Sequence, residues 1–189
     1  MALMEERIQG KKLQDDSVAD DIYIGGKLSD GKRGRGSENK VPVVAAISLS
    51  IGGKPDQINL RVVSGFTGVA LKEWAQNNLA RCINLFTDGL ACFTAIKKAG
   101  IKHHPTVMSK DLEQRDLGCF QWVNTIIGNL KTTLSGTYHH IEEKYVSRYL
   151  AEFEYRFNRR YDLKQMLPRL LFAAVHTCPL PESLLTLTS

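Results

Sequence analysis

The hydrophobic residues of this chain change their period partway along it, and that change limits the folds open to it. Near the start, Ile22 and Ile24 alternate with Tyr23, which predicts a strand over Val18 to Ile24. Val41 to Ser50 and Gln57 to Val63 read as two further strands around the turn Gly52-Gly53-Lys54-Pro55, so a hairpin is the natural assignment. The period then lengthens: Leu71, Trp74, Ala75 and Leu79 fall at helical spacing within Thr67 to Leu79. A β-like run returns from Cys82 to Thr87 and ends at Asp88-Gly89. Leu90 to Ala99 then reads as a helix that Gly100 stops.

His103 to Leu117 is polar and irregular, and no element is expected there. Trp122 to Leu134 resumes a helical pattern, with Ile126, Ile127, Leu130 and Leu134 on one side. Ile141, Tyr145, Tyr149, Phe153 and Phe157 recur every four residues and mark a long amphipathic helix, followed by a last one through Met166 to Val175. Strands first, helices later and one helix between β segments predict an α/β fold, a mixed sheet flanked by helices. Residues 1 to 17 read as a polar connector, 18 to 178 as the one main domain and 179 to 189 as a tail.

The 189 residues, 43% of them hydrophobic, suffice for one well-buried core. The longest apolar run, Leu170 to Val175, is far shorter than the ~20 residues that cross a bilayer. With no signal-peptide pattern at the N-terminus, this predicts a soluble, cytoplasmic protein. Cys82, Cys92, Cys119 and Cys178 are too scattered for a zinc ribbon or a disulfide framework and are expected to be buried thiols. A formal net charge of +5 suits a polyanionic partner without requiring one.

Asp20 lies on the apolar side of its strand, where an acid is costly unless paired, solvated or bound to a cation. Asp88 falls just past a neighbouring strand, so both carboxylates are expected in one cleft at the sheet edge. Phosphoryl transfer asks for two divalent cations about 3.5–4 Å apart, held by hard oxygen ligands. Asp20, Asp88 and the neutral amide oxygen of Asn124 form a sparse set sufficient for Mg²⁺ or Mn²⁺. Lys131 lies about two helical turns after Asn124 and shares its face, with Gly128 between them leaving room for a phosphate backbone. Asn124 equally reads as a helix cap, and Asp88-Gly89 as an ordinary turn. Asp21 is set aside as a ligand because adjacent strand residues face opposite sides.

Gly25 to Lys40 holds five glycines and the cations Lys27, Lys32, Arg33, Arg35 and Lys40. Directly after Asp20, this stretch reads either as a solvated connector or as a phosphate-contacting loop. Arg156, Arg159 and Arg160 either complement a helix C-terminus or line a DNA channel.

Several stretches carry a far more specific signal. They are Asp20-Asp21-Ile22-Tyr23-Ile24-Gly25-Gly26-Lys27, Gly34-Arg35-Gly36, Thr87-Asp88-Gly89, Trp122-Val123-Asn124-Thr125 and Gly128-Asn129-Leu130-Lys131. Gly136-Thr137-Tyr138-His139, Arg148-Tyr149-Leu150-Ala151-Glu152-Phe153 and Tyr155-Arg156-Phe157-Asn158-Arg159-Arg160 complete the series. Their order and spacing over roughly residues 18 to 175 resemble insertion-sequence transposases of the family numbered fifteen-ninety-five. The resemblance implies a ribonuclease-H-like core of the DDE type in which Asn replaces the third acid. Asp20, Asp88 and Asn124 would be the metal ligands, with Lys131 in the trailing basic position of the catalytic set.

The activity implied is Mg²⁺- or Mn²⁺-dependent DNA strand cleavage and strand transfer at transposon ends, by a homo-oligomer on paired ends. His139 is implied as a DNA contact beside Lys27, Arg33, Arg35, Lys40, Lys131, Arg156, Arg159 and Arg160. Members of the family usually begin with a zinc ribbon and a helix-turn-helix region, which the residues before Asp20 do not show. A catalytic core without its end-reading region is therefore expected. The alternative is a catalytically inactive remnant that only binds DNA, and nothing in the sequence favours a third reading, a nuclease acting on RNA.

Overall fold

The structure, a computed structural model, describes residues 1–25, 40–106, 118–138 and 141–186. Five strands form one mixed sheet: β1 (Ser17–Ile24), β2 (Val41–Leu49), β3 (Pro55–Val62), β4 (Asn84–Asp88) and β5 (Lys102–Thr106), in the order β3-β2-β1-β4-β5. β1, β2 and β3 pair antiparallel, whereas β4 runs parallel to both β1 and β5. The helices are α1 (Ala2–Ile8), α2 (Gly68–Asn78), α3 (Gly118–Thr137), α4 (Val146–Phe157), α5 (Leu163–His176) and α6 (Glu182–Thr186). A 3₁₀ helix covers Ala91–Ala99, and Gly100 ends it at φ 82°, a left-handed conformation that glycine adopts without a Cβ penalty. This mixed α/β architecture is consistent with a ribonuclease-H-like fold.

Alternation within the strands sorts the sheet into two faces. Val18, Ile22 and Ile24 of β1 join Val43, Ala45 and Ile47 of β2 in a core closed by Val123, Ile126, Ile127 and Leu130 of α3 and Leu150 of α4. Ala19, Val44, Ala46 and Leu85 face the other way, onto Leu71, Trp74 and Ala75 of α2 and Phe93 and Ile96 of the 3₁₀ helix. Central strands covered on both faces therefore read as nearly continuous apolar runs, as in Val43 to Ile47. Thr67 caps α2 by accepting the Ala70 N–H at 3.3 Å. Gly68 lets α2 meet the 3₁₀ helix, since a Cβ there would lie 3.1 Å from the Ala95 Cβ.

The outer edge of β3 is closed by side chains from the far end of the chain. Asn158 accepts the Ile58 N–H at 2.8 Å and donates to the Ile58 carbonyl at 2.9 Å, standing in for a neighbouring strand. Glu154 accepts the Leu60 N–H at 2.9 Å, and Arg160 donates to the Pro55 and Asp56 carbonyls at 2.5 and 2.9 Å. Arg61 pairs with Glu154 at 2.6 Å and donates to the Ile8 carbonyl at 3.1 Å, so one guanidinium joins β3, α4 and α1.

Two expectations are corrected. Residues 102–106 form β5 although Lys102-His103-His104-Pro105-Thr106 shows no apolar alternation. The strand lies at the sheet's edge, where Pro105 has no ladder donor to lose on its open side. Cys82 and Cys178 are exposed rather than buried, and Cys92 is half-buried. Cys82 sits in the turn ahead of β4 at φ 68°, and Cys178 follows the end of α5, so neither is carried into a core by a regular element. The stretch 1–17, read as a polar connector with helical character at Met4 to Arg7, does carry the helix α1, together with two buried apolar side chains, Ile8 and Leu13. No helix among the described residues is long and apolar enough to cross a membrane.

Candidate metal centre

β1 and β4 bring the two acids together through register. Ala19 pairs with Thr87 across the parallel ladder, so the next position on each strand is Asp20 and Asp88. Across the antiparallel ladder, Asp20 faces the small side chain of Ala45, which leaves its carboxylate room beside the core. Asp88 is the last residue of β4, and its turn is fastened by the Leu90 N–H, which lies 2.8 Å from the Asp88 carbonyl and 3.3 Å from its Oδ1. One carboxylate oxygen from each of Asp20, Asp21 and Asp88 lies within 4.8 Å of the other two.

Asp21 is the residue the sequence reading left out. Its backbone does point away from Asp20 by alternation, but its side chain still brings an oxygen into the cluster. Asp88 stands at a strand end and is not confined to one face of the sheet. The signal was visible as two adjacent acids in β1. The Asp21 N–H also donates to Asp20 Oδ1 at 2.9 Å.

The electrostatics of Asp20 follow from this crowding. Burial, then the Asp88 charge, push its carboxyl up to about 6, while the Asp21 N–H and the more distant Lys131 ammonium pull the other way. Lys131 therefore acts on Asp20 from α3. Asn124, Gly128 and Lys131 are all exposed on α3, one above another at about two-turn spacing, and a Cβ on Gly128 would meet nothing within 4 Å. Asn124 lies well inside α3, which begins at Gly118, so the cap reading of Asn124 does not hold.

The other cations divide. Lys40 is half-buried at the start of β2. Arg156 has its side chain 60% exposed, with Glu152 at 3.7 Å. Arg159 lies over the Tyr155 ring at 3.7 Å and donates to the Tyr155 carbonyl, and Arg160 is spent on β3 and on the rings of Phe157 and Tyr161. Lys27, Arg33, Arg35 and His139 lie outside the described residues.

A mixed sheet with acids at neighbouring positions of its parallel central strands defines the class: an α/β protein consistent with the ribonuclease-H-like arrangement. The family described as ISXO2-like transposase domain matches residues 12–158. The chain belongs to this family, that of the IS1595 insertion-sequence transposases. No curated protein matches the chain.

Proposed function

We propose that this chain, over residues 18–178, is the catalytic core of a DNA transposase that cuts and joins DNA strands with Mg²⁺ or Mn²⁺ held by Asp20 and Asp88. The observation that carries this reading is the approach of the Asp20, Asp21 and Asp88 oxygens to within 4.8 Å of one another. Carboxylates that close repel one another unless a cation lies between them, and their hard oxygens suit Mg²⁺ or Mn²⁺. Asn124 would be the third ligand in this reading, its neutral amide oxygen holding a cation less strongly than a carboxylate. When bound, the cations supply a clamp on the attacking and leaving oxygens.

The protein's own share is placement. β1 and β4 hold two acids in register, Lys131 offers a positive charge to the phosphate, and Gly128 leaves the α3 surface open to a DNA backbone. Lys27, Arg33, Arg35, Lys40, His139 and Arg156 are the further DNA contacts of this reading, and two copies act on paired transposon ends. A water and then a DNA 3′-hydroxyl are the successive nucleophiles.

Incubation of the chain with duplex DNA and Mg²⁺ or Mn²⁺ tests this. Mg²⁺-dependent nicking or joining is expected, with a loss of about a thousand-fold or more in folded Asp88→Ala, since a metal clamp supplies several kcal/mol to the transition state. Undiminished activity in that variant sinks the reading. Salt-dependent DNA binding with no metal-dependent product supports the inactive remnant instead.

A further inference from the structure

The end of β4 is braced from behind by a buried pair that metal binding leaves unused. Thr87 is fully buried, and its hydroxyl lies 2.9 Å from the Asp88 carbonyl oxygen and 2.8 Å from His103 Nε2. His103 comes from β5, one of the segments with no recognisable strand pattern, and is 6% exposed. Its Nδ1 is buried and meets no hydrogen-bond partner among the described residues.

Counting protons orders this chain of groups. A carbonyl only accepts, so the contact with Asp88 uses the one proton of the Thr87 hydroxyl. His103 Nε2 must then carry the ring proton and donate it to Thr87 Oγ1, and Nδ1 is left as a lone pair. The reverse order turns the hydroxyl away from Asp88 and places an N–H at Nδ1 with no acceptor among the described residues, and orphaned buried N–H groups are the rarer and costlier kind. Burial, then the charges of Lys97 and His104, hold the imidazole below its ordinary range, in keeping with a neutral ring.

We infer that His103, acting through Thr87, is a positioning residue that fixes the Asp88 peptide plane and so aims the Asp88 carboxylate at its cation. This inference rests on the metal reading above. The Asp88 carbonyl accepts from both the Thr87 hydroxyl at 2.9 Å and the Leu90 N–H at 2.8 Å. Two donors at fixed angles set the peptide plane, and the plane sets the direction in which the side chain leaves the strand end. Groups that orient metal ligands from behind commonly change affinity about 10–100-fold when removed.

The test pairs an isosteric loss with a conservative rescue in the full-length chain. Thr87→Val keeps the shape and removes the hydroxyl, and Thr87→Ser keeps the hydroxyl. His103→Leu removes the donor, and His103→Gln keeps one. Two quantities are read on the folded fraction: Mn²⁺ affinity by calorimetry, and protection of the Leu90 amide from hydrogen exchange. Thr87→Val and His103→Leu are expected to weaken Mn²⁺ binding about ten-fold and to lower Leu90 protection, with Thr87→Ser and His103→Gln near wild type. Wild-type affinity and protection in Thr87→Val, or equal losses in Thr87→Val and Thr87→Ser, overturn the inference. Mn²⁺ binding that is the same in Asp88→Ala as in wild type overturns the metal reading itself, and Leu90 protection then decides the brace on its own.

Discussion

Two carboxylates in this molecule are withdrawn from water, and their surroundings differ in kind. Glu154 is 2% exposed at the β3 edge, and burial pushes its carboxyl up, but the Arg61 guanidinium at 2.6 Å and the Leu60 N–H at 2.9 Å oppose that push. Asp20 is half-buried in β1, and the nearest charges are two more acids. The first environment supplies its counter-charge from within the fold. Among the described residues, the repulsion in the second is offset by the Asp21 N–H and by the Lys131 charge, which leave its carboxyl raised. A buried acid with its own arginine is a structural joint, whereas an acid set against other acids is a vacancy for positive charge.

Removing the internal partner of Glu154 should give the largest change in stability. Arg61→Ala leaves a buried carboxylate unpaired and also releases the Ile8 carbonyl, so chemical denaturation is expected to show a loss of about 3–5 kcal/mol. A loss under about 1 kcal/mol would end the contrast between the two acids.

Neutralising Asp20 should act in the opposite direction. The fold raises its carboxyl to about 6, so the ionised form is the disfavoured one, and the metal-free wild type loses stability as pH rises from about 4 to about 6. Asp20→Asn escapes that loss. With chelator present it is expected to be more stable than wild type by about 1–2 kcal/mol above pH 6, after allowance for solvent screening, with the gap closing below about pH 4. An Asn variant less stable at pH 7 would show that the acids are already compensated within the fold. The smallest effect belongs to Arg156→Ala: its exposed pair with Glu152 is worth less than about 0.5 kcal/mol, while the salt slope of DNA binding is expected to fall by about one.

Much of the frame was legible because period alone separates strand from helix. The hairpin β2–β3 and helix α2 followed from alternation and helical spacing, and the strand-turn pattern around Asp88 placed it beside β1 before any ladder was known. What escaped were features set by distant partners. β5 is a strand because β4 offers it a ladder, and neither His103 nor Pro105 signals that locally. Arg160, read as complementing a helix C-terminus or lining a DNA channel, does donate to the Phe157 carbonyl at the end of α4, but its β3 partners lie 104 and 105 residues away and leave no local sign. Alternation also gave no sign that an Asp21 oxygen lies close to those of Asp20 and Asp88, since it fixes where a Cβ points and not how far a carboxylate can reach.

The closure of β3 by Asn158 has a consequence for how the chain is made. Ile58 and Asn158 are 100 residues apart, so the outer edge of the sheet stays open while those residues are translated. At about 5–20 residues per second that interval lasts roughly 5–20 seconds, during which unpaired backbone groups of β3 face other nascent chains. A fragment that stops before α4 would hold that exposed state indefinitely. Protection of the β3 edge is thus a matter of timing, complete only when residues 154 to 160 arrive.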